Sequence, residues 1–237
     1  MKKITILLSA TLLSFSGLHA QQKTLPAAQQ NASLVSLSKE NTVFVYVDFL
    51  SGLDDLLTTV PGKQFRNNVT AFAKLNQVFP VPSAIMGDEG DYRGSFYPEI
   101  KTYVTNSSKV FQRTTPTGYT PEFAAWLKNT KRKNVVIGGI SIDNCTLHTA
   151  LDLLRNGYNV FVMIDVSSTN NKLAEDAALQ RLTKAGAILT TWIATASEMV
   201  KDWNSKEGSQ LTQFVLMPHM AGSTVGEAKD PSADMKQ

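Results

Sequence analysis

Three side chains with complementary chemistry each follow an apolar run: Asp48 after Thr42–Val47, Arg113 at the end of 109–113, and Cys145 a few residues after 134–140. Cys145 is the only cysteine in the sequence. A lone cysteine cannot close an internal disulfide, so it is buried and inert, paired between chains, or reactive. Here it opens an amphipathic stretch. A thiol at a helix N-terminus meets the positive end of the helix dipole and free backbone N–H groups, which favour the thiolate. The same N–H groups can receive a developing oxyanion. The alternative is a small residue packed at a strand–helix junction.

Asp48 ends an apolar run, where partial desolvation raises a carboxyl pKa and makes a proton acceptor useful near neutral pH. The alternative is a loop or capping carboxylate, as Asp54 and Asp55 suggest for themselves. Arg113 offers a planar guanidinium that could hold a carboxylate and a thiolate together, or orient a substrate carbonyl. Otherwise it is a surface arginine. Asp165 also follows an apolar run. His148 lies one helical turn beyond Cys145 and forms a possible Cys–His pair.

Other chemistries find little support. Gly138 and Gly139 permit close backbone approach, but no Gly-x-Gly-x-x-Gly or phosphate-loop pattern is present. His148, His219 and one cysteine make a poor metal set. Neither a cofactor nor a metal is expected.

The elements that must position these groups alternate. Runs without polar alternation at Thr42–Val47, 81–86, 109–113, 134–140, 159–164 and 187–192 suit strands buried on both faces, hence a parallel sheet. Helical patterns fill the gaps at 65–79, 146–155 and 172–185. Thr120-Pro121 reads as cap and first residue of a further helix. Thr195-Ala-Ser-Glu198 reads as a capping box opening a helix to Trp203. The expected fold is α/β, a three-layer α/β/α arrangement around a mostly parallel six-stranded sheet with right-handed crossovers. Ligands of such sheets bind beyond the carboxyl ends of the strands, where Asp48, Arg113 and Cys145 all fall.

Residues 1–20 carry Lys2-Lys3, an apolar run and Leu18-His19-Ala20, the pattern of a signal peptide. The run is short for a membrane span, which needs about 20 apolar residues. The expected organisation is a signal peptide at 1–20, a flexible spacer at 21–40, one domain at 41–221 and a flexible tail at 222–237. The destination is periplasmic or secreted, with no membrane association after cleavage. Formal charge is +3, and Lys2 and Lys3 account for two of those charges. A nearly neutral mature chain lacks the electrostatic footprint of a nucleic-acid binder.

These residues resemble the isochorismatase-like, or cysteine hydrolase, superfamily, nearest its YcaC-related group. Val45-Tyr-Val-Asp48-Phe-Leu-Ser-Gly52 is similar to the family's aspartate motif. Val135-Val-Ile-Gly-Gly-Ile-Ser-Ile-Asp-Asn-Cys145 is similar to its strand leading into the nucleophile. The stretches 150–165 and 182–192 are similar to the elements that follow. The resemblance implies a Cys–Asp–Lys arrangement: Cys145 the nucleophile, Asp48 the base, and Arg113 in the position of the lysine. It also implies an oxyanion hole from the amides of Ile142 and Cys145, near a cis peptide at Ser141–Ile142. The sequence departs from the family pattern at Arg113, at Leu50, at 142–144 and at 114–119.

The implied function is an exported hydrolase that cleaves an amide-type C–N bond of a small molecule through a Cys145 thioester. The alternative is an inactive family member that binds a small molecule or assembles. The loops 87–108 and 114–120 are expected to line the pocket. A homo-oligomer is expected, with the apolar stretch 214–218 either an interface arm or a segment packed on its own domain.

Overall fold

The computed structural model describes residues 34–104 and 108–222. The signal-peptide reading, residues 21–33 of the spacer and residues 223–237 of the tail lie outside them.

Six strands form one all-parallel sheet: β1 (Thr42–Val47), β2 (Ser83–Met86), β3 (Ser108–Phe111), β4 (Asn134–Gly139), β5 (Asn159–Met163) and β6 (Ile188–Thr190), in the order β3-β2-β1-β4-β5-β6. β1 is central, with all six residues buried. Its side chains alternate between two cores, as the strand period of two requires. Phe44 and Tyr46 point to one, where Phe72 stacks on Tyr46 at 4.3 Å between ring centroids. Val43, Val45 and Val47 point to the other. The first core is closed by α1 (Gly62–Val78) and by α6 (Trp192–Met199). The second is closed by α3 (Pro121–Asn129), α4 (Cys145–Arg155) and α5 (Lys172–Lys184). A short α2 (Pro98–Tyr103) lies between β2 and β3. The expected layers and sheet are therefore present, and Thr120 caps α3 through the Phe123 N–H.

Two local expectations are corrected. The helix expected from Thr195 begins at Trp192, because Thr191 accepts the Ala194 N–H and the Asp165 carboxylate accepts the Trp192 N–H at 3.1 Å. These acceptors satisfy the first-turn donors before Thr195 is reached, and the helix ends at Met199 rather than Trp203. The stretch 214–218 is helical, within a run from α7 (Lys206–Leu211) through a π-helical turn (Thr212–Leu216) to α8 (Met217–Gly222). Leu211 and Val215 are buried against α1, so this segment packs on its own domain rather than projecting as an arm. At the other end Leu37 is buried and its N–H donates to Glu198 at 2.9 Å, so this part of the stretch read as spacer is docked.

Asp165 couples this packing to pH. Burial pushes its carboxyl up to about 7 from 3.8. A raised folded-state pKa stabilises the fold below the unfolded value, and that contribution is lost as pH rises toward 7. The stability of the wild type relative to Asp165→Asn is therefore expected to fall between about pH 4 and pH 7. Urea midpoints of both proteins at each end of that window measure it. A difference that stays constant would contradict the assignment.

Candidate active site

The site is built at the carboxyl ends of β1 to β4. Asp48 follows β1, and its N–H continues the ladder by donating to the Met86 carbonyl at 2.8 Å. Its φ of 50° lies in the left-handed region, which aspartate tolerates better than most residues. This turn aims the carboxylate across the strand ends. Gly87 leaves room for it: a Cβ there would lie 3.1 Å from Asp48 Oδ1 and 3.0 Å from the Phe96 ring, at a φ of 141°.

Arg113 lies two residues beyond the end of β3. One terminal nitrogen donates to Asp48 Oδ2 and the other to the Thr115 carbonyl. The Arg113–Asp48 pair is buried, with side-chain exposures of 10% and 9%. Cys145 is the first residue of α4, and its thiol interacts with both Asp48 and Arg113. Cysteine, aspartate and arginine are thus brought together. His148 is not among the groups acting on the thiol, which are Asp48 and Arg113.

Electrostatics within the trio differ from the sequence expectation. Burial pushes the Cys145 thiol up to about 11, and the Asp48 charge adds to that, while Arg113 opposes it. A thiol held that high is protonated at neutral pH, the form that burial and a neighbouring carboxylate favour. Burial also raises Asp48, with Arg113 the largest opposing influence.

Two further expectations change. The cis peptide is Ile140–Ser141, one residue before the expected Ser141–Ile142, directly after the last rung of the ladder to β1, where the Ile140 N–H donates to the Val47 carbonyl at 2.9 Å. The Ile142 N–H donates to the Ser168 carbonyl at 3.2 Å, and Ile142 is fully buried, so it is not available as an oxyanion donor. The Cys145 N–H is at the first helical position, where helical bonding provides no acceptor, and Asn144 makes no side-chain cap.

A cavity of about 280 Å³ opens onto the trio. Leu50, Leu53, Leu56 and Ile140 form apolar wall, while Asp88, Arg93, Ser141 and Asn144 add polar groups. The 114–120 loop, expected to line it, does not; its place is taken by the 3-10 turn Ser51–Leu56. The 87–108 loop lines it as expected, through Gly87, Asp88, Tyr92 and Arg93, although the sequence does not single out Arg93 itself; Gly90 and Gly94 mark a tight turn around it.

The isochorismatase domain model matches residues 63–194. The probable hydrolase YcaC of Escherichia coli (strain K12) is 31% identical over 177 residues, covering 73% of this chain and 85% of that protein. The chain belongs to the isochorismatase family. Among solved structures, Escherichia coli YcaC, an octameric hydrolase of unknown specificity, superposes with a TM-score of 0.73 at 28% identity, covering 86% of this chain and 98% of that one. Pseudomonas aeruginosa YcaC, solved with hexane-2,5-diol and covalent acrylamide, superposes with a TM-score of 0.72 at 28% identity, over 78% and 94% of the two chains. The fold and the family are thereby those that the sequence resemblance implied, and the chain is a hydrolase of the YcaC-like kind.

Proposed function

We propose that this protein is an exported cysteine hydrolase that cleaves the C–N bond of a small amide through a thioester on Cys145. The observation that carries this reading is the convergence of the Cys145 thiol, the Asp48 carboxylate and the Arg113 guanidinium on one small cavity.

With the thiol protonated at rest, attack and proton transfer are coupled. Sγ bonds to the carbonyl carbon while its proton passes to Asp48, and the carbonyl π electrons move onto oxygen. That oxygen is held by the Cys145 N–H at the open end of α4 and by the Ser141 N–H, which stands in for the engaged Ile142 amide. Collapse restores the carbonyl and breaks the C–N bond, and Asp48 returns the proton to the departing nitrogen. Water then loses a proton to Asp48 as its oxygen bonds to the thioester carbon. The C–S bond breaks and sulfur recovers its proton. Arg113 keeps its own proton throughout and holds the carboxylate in position.

Intact-protein mass spectrometry during turnover of small amides tests this. An acyl adduct on Cys145, with ammonia or amine released, is expected, and both should vanish in Cys145→Ala. Turnover that survives that substitution would end the proposal. The covalent acrylamide on the Pseudomonas aeruginosa relative supports acrylamide as a first reagent to try on Cys145.

Asp48 must be ionised to accept the proton, and burial raises its pKa above 3.8. Hence kcat/KM is expected to fall, as pH drops, through a limb above 3.8. A limb at or below 3.8 would contradict Asp48 as the base.

The octameric Escherichia coli relative supports a homo-oligomer here as well, measurable by light scattering during gel filtration. Residues 1–20 support export to the periplasm or medium, which N-terminal sequencing of fractionated protein tests.

A further inference from the structure

Arg113 is committed to Asp48 and the Thr115 carbonyl, yet the cavity holds a second guanidinium. Arg93 lines the same space as Cys145, and its charge is close enough to lower the Asp48 pKa. One terminal nitrogen pairs with Asp88 at 3.3 Å and lies 3.9 Å from Asp91. The Nε is buried with no hydrogen-bond partner. A guanidinium carries five N–H donors, so one edge can hold Asp88 while another meets a ligand. Arg113 shows the same division of labour between two acceptors.

The arginine is also held in place. Its turn closes through the Gly90 N–H donating to the Gly94 carbonyl at 2.8 Å. The turn sits directly on the Ser51–Leu56 turn, where a Cβ on Gly52 would fall 1.9 Å from the Tyr92 carbonyl oxygen. A cation on the wall of the cavity that holds a nucleophile discriminates among substrates by the charge they carry.

We propose that Arg93 is a specificity residue that binds a carboxylate on the acyl portion of the substrate, so that the preferred substrates are small amides of acidic acyl groups. This rests on Cys145 being the nucleophile. The test separates the two ideas by using two alkylating agents of nearly equal shape on the full chain, neutral iodoacetamide and anionic iodoacetate. Each forms an S–C bond to Cys145 and releases iodide. The rate ratio of iodoacetate to iodoacetamide, normalised to 2-mercaptoethanol, is the readout.

A ratio about tenfold above the small thiol is expected, from one charge-assisted hydrogen bond. It should collapse toward one in Arg93→Leu and be partly restored in Arg93→Lys. A folding or access defect slows both reagents together and leaves the ratio unmoved. A wild-type ratio no higher than that of the small thiol, or one that Arg93→Leu does not change, overturns the proposal while leaving a reactive Cys145 intact. Labelling by neither reagent overturns the nucleophile reading and this proposal with it.

Discussion

Asp48→Asn is expected to lower kcat/KM for amide hydrolysis by about 10²–10⁴-fold, the usual contribution of a positioned general base. The asparagine keeps the shape and an acceptor for Arg113, so the cavity survives while the proton acceptor is lost. The same substitution should act in the opposite direction on the thiol. The Asp48 charge helps to push Cys145 up to about 11, and removing it leaves Arg113 as the nearest charge. The thiol pKa should fall and alkylation near pH 9 should speed up even as turnover collapses. Measuring both on one preparation is decisive. Parallel losses would mean that the site has simply fallen apart, whereas opposite changes identify an electrostatic unit in which Asp48 moves protons.

Arg113→Leu is expected to destabilise the fold by about 3–5 kcal/mol, the cost of leaving a buried charge without its partner. The pair is nearly inaccessible, so solvent screening offers little relief. The sign with pH follows from Asp48. Burial raises its pKa and Arg113 is the first influence opposing that, so losing Arg113 raises it further. The destabilisation should be largest at neutral and alkaline pH, where wild-type Asp48 is ionised, and should shrink as acid protonates the carboxyl. The acid limb of kcat/KM should move to higher pH in the same variant. Arg113→Lys should recover most of the stability, since it restores the charge. A single ammonium lacks the fork that reaches both Asp48 and the Thr115 carbonyl, so recovery of rate should be less complete. Urea titrations at two pH values, with pH–rate profiles of the three proteins, measure these effects. Equal stability of Arg113→Leu and wild type at pH 8 would remove the ion pair from the account.

The sheet was legible because its strands are buried on both faces, and unbroken apolar runs such as Thr42–Val47 have few other uses in a soluble domain. Asp48, Arg113 and Cys145 were legible for a related reason: a polar residue just past such a run must lie at a strand's carboxyl end. What failed depended on contacts between distant segments. The start of α6 is set by the local cap Thr191 together with Asp165, and the latter lies outside any capping pattern within the helix's own sequence. The Ile142 amide is taken by the Ser168 carbonyl, a pairing that no local pattern announces. The thiol's elevated pKa comes from burial and from Asp48, which is remote in sequence, whereas the helix dipole is local and was visible. Arg93 stands on a turn whose target depends on how Gly52 and Tyr92 pack together.

The placing of β1 between β2 and β4 has a consequence for how the chain is made. Its partners on one side are near in sequence, with Phe44 against Ser83, but on the other side Thr42 pairs with Asn134. During synthesis at about 5–20 residues per second, β1 and its aspartate wait roughly 5–20 s for β4 to be translated. Throughout that interval this fully buried strand has at least one unpaired edge, the form most prone to pairing with another chain. Cys145 arrives just after the strand that closes this edge, so the candidate site and protection from aggregation are completed at nearly the same moment. Slowing translation between residues 48 and 134 should therefore increase aggregation without changing the finished enzyme.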